Sequence, residues 1–309
     1  MIVQAGMGGG IAGAKLAAAV SEAGGLGTIG IVDAKTLGNE LAAARRLTAR
    51  PVAVNMLLPF ARAAHWRVAA EADVVVTFWG APKRRVARTW LHQCGSVEEA
   101  QAAHAAGADG VIVQGVEAGG HVRGTTPALE LLERTRAALG PDYPVLLSGG
   151  IADRADVSRA LESGADAAVA GTRFLLADES RAHGAYRRRV LDANRTLLTT
   201  LFGAGWPNAP HRVVPNAATD AALRPDGSIP ASMRVAARLS GIGVRYLPAG
   251  TIGRLVAVQR PGGLLPTPAP PADDGPEALV DSGALYAGET ALRIDDVRPA
   301  AELVAALTP

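Results

Sequence analysis

One short stretch of the chain combines the residue types of an active site. Residues 111–124 read VIVQGVEAGGHVRG, an apolar run that ends in Gln114 and is followed by a glycine-rich turn containing His121. Glycines allow a backbone to approach a flat ligand closely, where a β-carbon would collide. An imidazole on such a turn can take up a proton near neutral pH. We therefore predict that His121 is a catalytic base and that Gly119 and Gly120 line a ligand site.

Polar or glycine-rich residues also end several other predicted strands. Asn55 and Gln114 each carry an amide that donates and accepts hydrogen bonds. Such groups suit a heterocycle with alternating N–H and C=O groups, and a polar side chain at the end of a buried strand needs a partner. The glycine-rich strand ends read QAGMGGG at 4–10, SGGIAD at 148–153 and AGTRF at 170–174.

The turns at 148–153 and 170–174 predict a phosphate site. Ser148, Gly149 and Gly150 precede a predicted helix, and Gly171 and Thr172 follow a predicted strand. Both turns present backbone N–H groups, and a helix N-terminus favours negative charge. Either glycine pair alone is more often a tight turn. Two such turns on neighbouring strands favour a ligand that carries a phosphate.

These turns belong to a strand–loop–helix unit that repeats along the chain. The junctions resemble one another, as in AAGADGVIV at 105–113 and ESGADAAVA at 162–170, and a glycine can end each helix. This alternation predicts an α/β fold, a (β/α)8 TIM barrel, with an open doubly wound sheet as the alternative. The strands are predicted at 1–5, 26–31, 51–56, 73–78, 88–93, 109–114, 143–148 and 165–170, and the helices at 11–23, 35–48, 61–71, 97–106, 127–139 and 154–163.

The repeat is interrupted between Trp79 and Thr89. The stretch GAPKRRVAR at 80–88 leaves room for only a turn or two of helix. We therefore expect a weak barrel wall at this position.

After residue 176 the rhythm of the repeat stops. The patterns predict helices over 178–202 and near 230–240, no regular structure in the proline-rich 261–276, and two helices around a YAGE turn at 286–289. We divide the chain into a ligand-binding barrel and a smaller, mainly helical elaboration over its C-terminal mouth, on the substrate side. The barrel takes 1–175 and 277–309, and the elaboration takes 176–276.

Composition and charge exclude several classes of partner. The 31 Lys and Arg against 29 Asp and Glu are too balanced to favour a nucleic acid or a membrane surface. The remaining histidines lack the spacing of a metal site. With Cys94 as the single cysteine and no signal-peptide pattern at the start, we expect a cytoplasmic protein, monomeric or homodimeric. Cys94 and His92 lie two apart on a predicted strand, which favours a buried thiol over a nucleophile.

Together the motifs resemble those of the nitronate monooxygenases, formerly called 2-nitropropane dioxygenases, which are FMN-dependent (β/α)8 barrels. The matching stretches run in order along nearly the whole chain, and EAGGH, GGIAD and GTRF form a specific combination. They are QAGMGGG, LAAAVSEAGGLGTIG, PVAVNMLLPF, VIVQGVEAGGHVRG, VLLSGGIAD, AGTRFLLADES, GWPNAPHRVVPN and LYAGE.

The resemblance implies a role for each matching residue, and His121 falls on the family's catalytic histidine. Two departures from the family pattern concern the pocket edge near Trp79: Gly6 stands where the family usually has proline, and the region after the fourth strand is short. The implied flavin contacts are Ala5, Gly6 and Met7 along the flavin, Asn55, Gln114 and Gly119 holding it, Gly150, Val169, Ala170, Gly171 and Thr172 around its phosphate, and Gly288 at the ring.

The activity that this resemblance implies is oxidation of alkyl nitronates, and of nitroalkanes, by FMN and dioxygen to a carbonyl compound and nitrite. His121 would deprotonate a neutral nitroalkane or hold the anion as imidazolium. One alternative is an FMN-dependent enoyl-thioester (enoyl-ACP) reductase that uses NAD(P)H, because those enzymes share EAGGH and a stretch like VNMLLPF. Another is an FMN oxidoreductase recruited to a specialised biosynthetic pathway. GWPNAPHR at 205–212 favours the nitronate activity.

Overall fold

A closed barrel of parallel strands forms the centre of the protein, in a computed structural model that describes residues 1–224, 227–243 and 260–309. The barrel strands are short and almost entirely buried, because helices cover their outer side. They are β1 (Ile2–Gln4), β2 (Gly27–Ile29), β3 (Val52–Leu57), β4 (Val74–Phe78), β5 (Thr89–Cys94), β6 (Gly110–Gln114), β8 (Val145–Ser148) and β9 (Ala167–Ala170).

The strands follow the order β1-β9-β8-β6-β5-β4-β3-β2, all parallel. Backbone bonds from Gln4 and Leu26 join the two ends of this order. The predicted (β/α)8 barrel is therefore confirmed, and the open doubly wound sheet is wrong.

Small aliphatic side chains build two concentric cores. Alternate residues such as Val3, Val76 and Ile112 fill the barrel interior, while Val54, Val111 and Leu147 pack outward against the helices. Since successive strand residues face opposite sides, each strand contributes to both cores. The surrounding helices are α1 (Ala14–Glu22), α2 (Ala34–Leu47), α3 (Ala63–Ala69), α4 (Val97–Ala105), α5 (Ala128–Leu139) and α6 (Arg154–Glu162).

The connection between β4 and β5 contains no helix, although its length leaves room for a turn or two, and the weak barrel wall expected there stays a prediction. Residues 80–88 run without regular structure, and the Arg84 guanidinium reaches the Gly107 carbonyl and the Asp109 carboxylate. The chain must return along the full height of the barrel. Nine residues span about 30 Å when extended but only about 14 Å as a helix, so only an extended path suffices.

A small second sheet lies at the barrel mouth. It includes part of the 178–202 stretch, so the prediction of a helix over that whole stretch was wrong. Only α8 (Gly184–Leu191) is helical, while β10 (Leu197–Thr199) pairs antiparallel with β11 (His211–Val213). β11 in turn pairs with β7 (Gly120–His121). The threonines around Leu197–Thr199 favour a strand, and a pairing partner fourteen residues away in sequence decides it.

The remaining described elements surround the mouth. Residues 225–226 and 244–259 of the predicted 176–276 elaboration lie outside the described residues, and the division into two parts stays a prediction. Apart from isolated bridges, residues 261–276 have no regular structure, as expected from the prolines. The other elements are α7 (Thr172–Leu175), α9 (Ala217–Ala222), α10 (Ala231–Gly243), α11 (Leu279–Ser282), a 3-10 helix (Glu289–Arg293) and α12 (Ala300–Leu307).

Candidate active site

A cavity of about 520 Å³ opens at the carboxyl ends of the barrel strands. This volume falls in the range of small-molecule and cofactor sites. All predicted site residues except Ala170 line it, although they come from widely separated parts of the chain. They are Ala5, Gly6, Met7, Asn55, Gln114, Gly119, Gly120, His121, Ser148, Gly149, Gly150, Val169, Gly171, Thr172 and Gly288.

Ala170 occupies a different position from the one predicted. Its side chain belongs to the core between the strands and the helices, because it alternates with Val169, which points into the barrel. Its carbonyl accepts a hydrogen bond from the Ala5 N–H at 2.9 Å. Ala170 therefore fixes the first glycine loop and does not itself line the cavity.

The glycine turns after β8 and β9 fit a phosphate group. Gly150 adopts a left-handed conformation (φ 78°), and a β-carbon there would project into open space. Among the described residues, the N–H groups of Gly149, Gly150 and Gly171 donate to no protein acceptor. Free N–H groups at this edge are what an anion needs. The Thr172 hydroxyl is already used, because it accepts from the Gly288 N–H at 2.9 Å.

The two predicted amides differ in what they leave available. Gln114 donates from Nε2 to the His121 carbonyl at 3.0 Å and accepts from the Arg123 N–H at 3.4 Å, so it holds the turn that carries His121. Asn55 is 7% exposed, and its amide has no hydrogen-bond partner in the described part of the chain. Asn55 also lines the cavity, so its amide is the one that is available to a ligand.

At two positions in the site, close packing leaves room only for glycine. A β-carbon on Gly6 would lie 2.3 Å from the Asn55 Cβ, and one on Gly119 would lie 2.4 Å from the Gly288 N. Gly6 thus replaces the usual family proline where the first loop packs on Asn55. Gly119 allows its backbone to touch that of Gly288, so it has a packing role as well as lining the cavity.

His121 lines the cavity within a cluster of aromatic rings. Its ring stacks on Trp206 at 4.2 Å between centroids and lies 5.5 Å from Tyr286 and 6.1 Å from Trp79. Trp79 has a left-handed backbone (φ 65°), a strained conformation that is typical of functional sites. Neither ring nitrogen of His121 has a hydrogen-bond partner within the described residues, so both are free to meet a ligand.

Burial holds the His121 side chain in its neutral form. Desolvation, aided by the neighbouring His211, lowers the pKa of His121 to about 3. At neutral pH the imidazole is therefore uncharged, which argues against the permanent imidazolium of the alternative interpretation. The same shift makes the ring a weak base, so it holds a proton only beside a compensating negative charge.

Several residues at the cavity escaped the sequence analysis. Gln93 is the residue before the last in β5 and lines the cavity, so the rule that selected Asn55 could have found it. Trp206 and Tyr286 also line it, but nothing local in their sequence predicts the contact with His121. Glu117 begins the EAGGH motif, and its carboxylate accepts from the Ala128 N–H at 3.1 Å, which caps α5.

The other candidate pair, His92 and Cys94, is structural. Cys94 is fully buried, its thiol donates to the His92 carbonyl at 3.5 Å, and burial raises its pKa. His92 contacts the Thr77 hydroxyl at 2.7 Å, and burial lowers its pKa to about 4.

In the described ranges, no three His, Cys, Asp or Glu side chains could share a metal ion, and no helix is both long and apolar enough to cross a bilayer.

A parallel barrel with free N–H groups after β8 and β9, and a histidine among rings at its mouth, defines a (β/α)8 barrel with a candidate phosphate-binding site. Comparison with known proteins narrows the class. The profile described as nitronate monooxygenase matches residues 1–92 and 82–309, so the chain belongs to this family of flavin-dependent oxidoreductases. The two matches meet at 82–92, in the short connection after β4.

The relatives include enzymes with different activities. An indene-carboxyl-CoA dehydrogenase of Mycobacterium tuberculosis is 36% identical over 69% of this chain and 62% of its own length. A nitronate monooxygenase of Pseudomonas aeruginosa is 44% identical over 39% of this chain and 37% of its own length. The chain thus spans less than two thirds of the length of these relatives.

Solved structures match almost the full chain. Nitroalkane oxidase from Streptomyces ansochromogenes has a TM-score of 0.75 and 30% identity, covering 99% of this chain and 94% of its own. FabK from Thermotoga maritima has a TM-score of 0.75 and 26% identity, covering 99% of this chain and 90% of its own.

Proposed function

We propose that this protein is an FMN-dependent nitronate monooxygenase that converts alkyl nitronates and dioxygen into a carbonyl compound and nitrite. One observation carries the proposal: the neutral His121 imidazole has no hydrogen-bond partner in the described residues and lines the same cavity as the free N–H groups of Gly149, Gly150 and Gly171. When bound, FMN would supply the acceptor for the substrate's electrons. The similarity to the P. aeruginosa nitronate monooxygenase in sequence and to the S. ansochromogenes nitroalkane oxidase in structure supports the proposal.

FMN is proposed in preference to FAD because the phosphate turns form one compact group. The stretch GGGIAG at 8–13 does match the dinucleotide pattern G-x-G-x-x-G. However, the N–H of Ala14 at the start of α1 already donates to the Glu40 carboxylate at 2.6 Å, and a β-carbon on Gly9 would lie 2.7 Å from Pro270. An occupied helix start has no room for a second phosphate.

The residues of this chain then have separate tasks. The turns at 149–150 and 171–172 bind the phosphate, and the Asn55 amide binds a polar edge of the ring system. His121 takes the proton from the carbon of a neutral nitroalkane, and the resulting imidazolium is stabilised by the adjacent nitronate anion. A substrate that arrives as the nitronate needs no such step.

A thioester oxidoreductase is the second candidate, because the M. tuberculosis relative is a carboxyl-CoA dehydrogenase and aligns with 69% of this chain. It would act on a flat, conjugated acyl thioester, with NAD(P)H as reductant in the reductase direction. The long cavity lined by Leu265 and Pro268 beside the polar end is compatible with an acyl chain.

An anaerobic experiment separates the two candidates. The purified protein is mixed without oxygen with ethylnitronate, propionate 3-nitronate, NADH or NADPH, and the flavin absorbance is followed. We expect rapid bleaching by a nitronate and slow or no bleaching by either nicotinamide, followed by nitrite release once oxygen is admitted. Bleaching by NAD(P)H alone would favour the thioester enzyme, a colourless protein would contradict the flavin site, and mass spectrometry of the released cofactor distinguishes FMN from FAD.

A further inference from the structure

The loop between β10 and β11, residues 200–210, carries the ring that covers His121. Trp206 stacks on the His121 imidazole with an interplanar angle of 29°. It also contacts Phe60 at 5.1 Å and Trp79 at 4.7 Å between ring centroids. The position of this loop therefore determines how much space is left beside the imidazole.

One buried residue, His211, ties the two ends of that loop together. Its Nε2 accepts a hydrogen bond from the Phe202 N–H at 3.2 Å, and its Nδ1 lies 2.9 Å from the Ala209 carbonyl. A backbone N–H only donates and a carbonyl only accepts, so Nδ1 must carry the single proton of a neutral ring. His211 has no exposed surface, and water cannot replace either bond.

The same residue is joined directly to His121. The backbones of His211 and His121 lie opposite each other in the β11–β7 pairing, and their rings are 5.3 Å apart. The adjacent Val122 N–H donates to the Pro210 carbonyl at 2.8 Å. His211 is thus paired through its backbone with the strand that carries His121, and its ring is bonded to the loop that carries Trp206.

We propose that His211 is a positioning residue, which fixes the Trp206 ring against His121 and so limits the bulk of the substrate carbon that reaches the imidazole. The inference rests on the proposed function, in which His121 faces the substrate. A rigid indole cannot move away from a branched or cyclic group, whereas a loop without its tie can. The reaction itself needs no atom of His211.

The test compares a small and a bulky substrate in matched variants. His211→Phe keeps a flat ring but removes both hydrogen bonds, His211→Gln offers an oxygen to the Phe202 N–H, and His104→Phe replaces an exposed histidine on α4 as the control. The measured quantity is the ratio of kcat/KM for nitrocyclohexane and nitroethane at matched FMN content. We expect His211→Phe to raise this ratio about tenfold, His211→Gln to restore much of the wild-type ratio, and His104→Phe to leave it unchanged.

A double-mutant cycle shows whether the effect passes through the indole. Trp206→Ala should raise the same ratio, and His211→Phe should add nothing in that background, because the ring that it positions is gone. If the two substitutions change the ratio independently, so that their factors multiply in the double variant, the proposal is overturned. So would an equal loss of kcat/KM on both substrates, which is the signature of a merely structural residue.

A second measurement does not depend on turnover. Hydrogen exchange followed by peptide mass spectrometry should show faster exchange in 200–210 and at Val122 in His211→Phe, with the barrel strands unchanged. If the wild type turns over neither nitroalkanes nor nitronates, the proposed function fails, while this exchange still decides the role of His211. Unchanged exchange in the loop would overturn that role, and should His211→Phe not fold, His211→Gln and His211→Asn are compared in the same way.

Discussion

The neutral imidazole of His121 is the residue on which the proposed chemistry depends. Its pKa of about 3 reflects burial, so it becomes protonated only where a new negative charge compensates. We predict that His121→Asn retains flavin and lowers kcat/KM for nitroethane by about 10²–10⁴-fold, the usual cost of losing a general base. The measurement is kcat/KM at matched FMN occupancy.

The paired substrate provides the control for this variant. Ethylnitronate needs no proton removed, so its oxidation should fall much less than that of nitroethane. An equal fall on both substrates with flavin retained would assign His121 to binding the anion or assisting electron transfer. A fall that follows the flavin content would show that His121 only packs the glycine turn.

Gly150 tests the phosphate turn, and the chain supplies a matched control. Gly150 has φ 78° and Gly140, which ends α5, has φ 85°; a β-carbon at either would meet nothing within 4 Å. Valine should therefore cause similar backbone strain at both, of about 1–3 kcal/mol. We predict that Gly150→Val loses FMN and Gly140→Val keeps it, as measured by absorbance after gel filtration. Full flavin content in Gly150→Val would place the phosphate elsewhere.

Replacing the amide of Asn55 should affect stability and binding differently. The apoprotein should be as stable as the wild type or more so, whereas its affinity for FMN should fall. Asn55→Leu removes a nearly buried polar group that has no partner in the described residues, so the apoprotein should unfold at the same or a higher urea concentration. FMN should lose at least one hydrogen bond of about 1–2 kcal/mol, which is roughly 5- to 30-fold in Kd. Fluorescence titration of the apoprotein measures this Kd. Destabilisation of the apoprotein without weaker binding would contradict the assignment.

At the scale of elements, the site depends on two turns that touch through bare backbone. The turn before β7 meets the turn at 286–289 at Gly119 and Gly288, and the Glu289 N–H donates to the Glu117 carbonyl at 3.0 Å. We predict that Gly119→Ala costs about 1–3 kcal/mol, because backbone atoms cannot yield as a flexible side chain can. Flavin affinity should fall with it.

The control for this contact lies in α2. A β-carbon on Gly38 would meet only the Val68 side chain at 3.6 Å, and alanine favours a helix. Gly38→Ala should therefore raise the unfolding midpoint in urea, while Gly119→Ala lowers it. Equal midpoints for the two variants would show that the turns can separate without cost.

At the scale of the whole molecule, three histidines with lowered pKa values link folding to pH. Burial lowers the pKa of His92 and His211 to about 4 and that of His121 to about 3. The unfolded chain binds protons at these residues near pH 6.5, so below that pH it binds more protons than the folded protein. The free energy of unfolding is therefore full above about pH 6.5 and falls as the pH drops through about 4.

Each histidine contributes a slope of up to about 1.4 kcal/mol per pH unit in this window. Urea unfolding between pH 7.5 and 5, at fixed FMN concentration, measures the combined slope. His92 lies in β5 but does not line the cavity, so His92→Leu should reduce the slope by the contribution of one proton and leave the site unchanged. A stability that stays constant down to pH 5 would contradict the buried neutral histidines.

The sequence by itself determined the repeating unit, the barrel and the family. Glycine-ended helices and short apolar strands repeat locally, so positions such as β3 and α6 follow from neighbouring residues alone. The strand-end rule then placed Asn55, Gln114 and Gly150 at one mouth, because parallel strands of a barrel all end on the same side.

The tertiary structure decided what depends on contacts between distant residues. The extended 80–88 connection follows from the height of the barrel, and β10 becomes a strand through its pairing with β11. The stacking of Trp206 on His121, and the pairing of His211 opposite His121, join segments about eighty to ninety residues apart. No local pattern encodes such contacts, since a side chain's propensity does not specify which distant group will meet it.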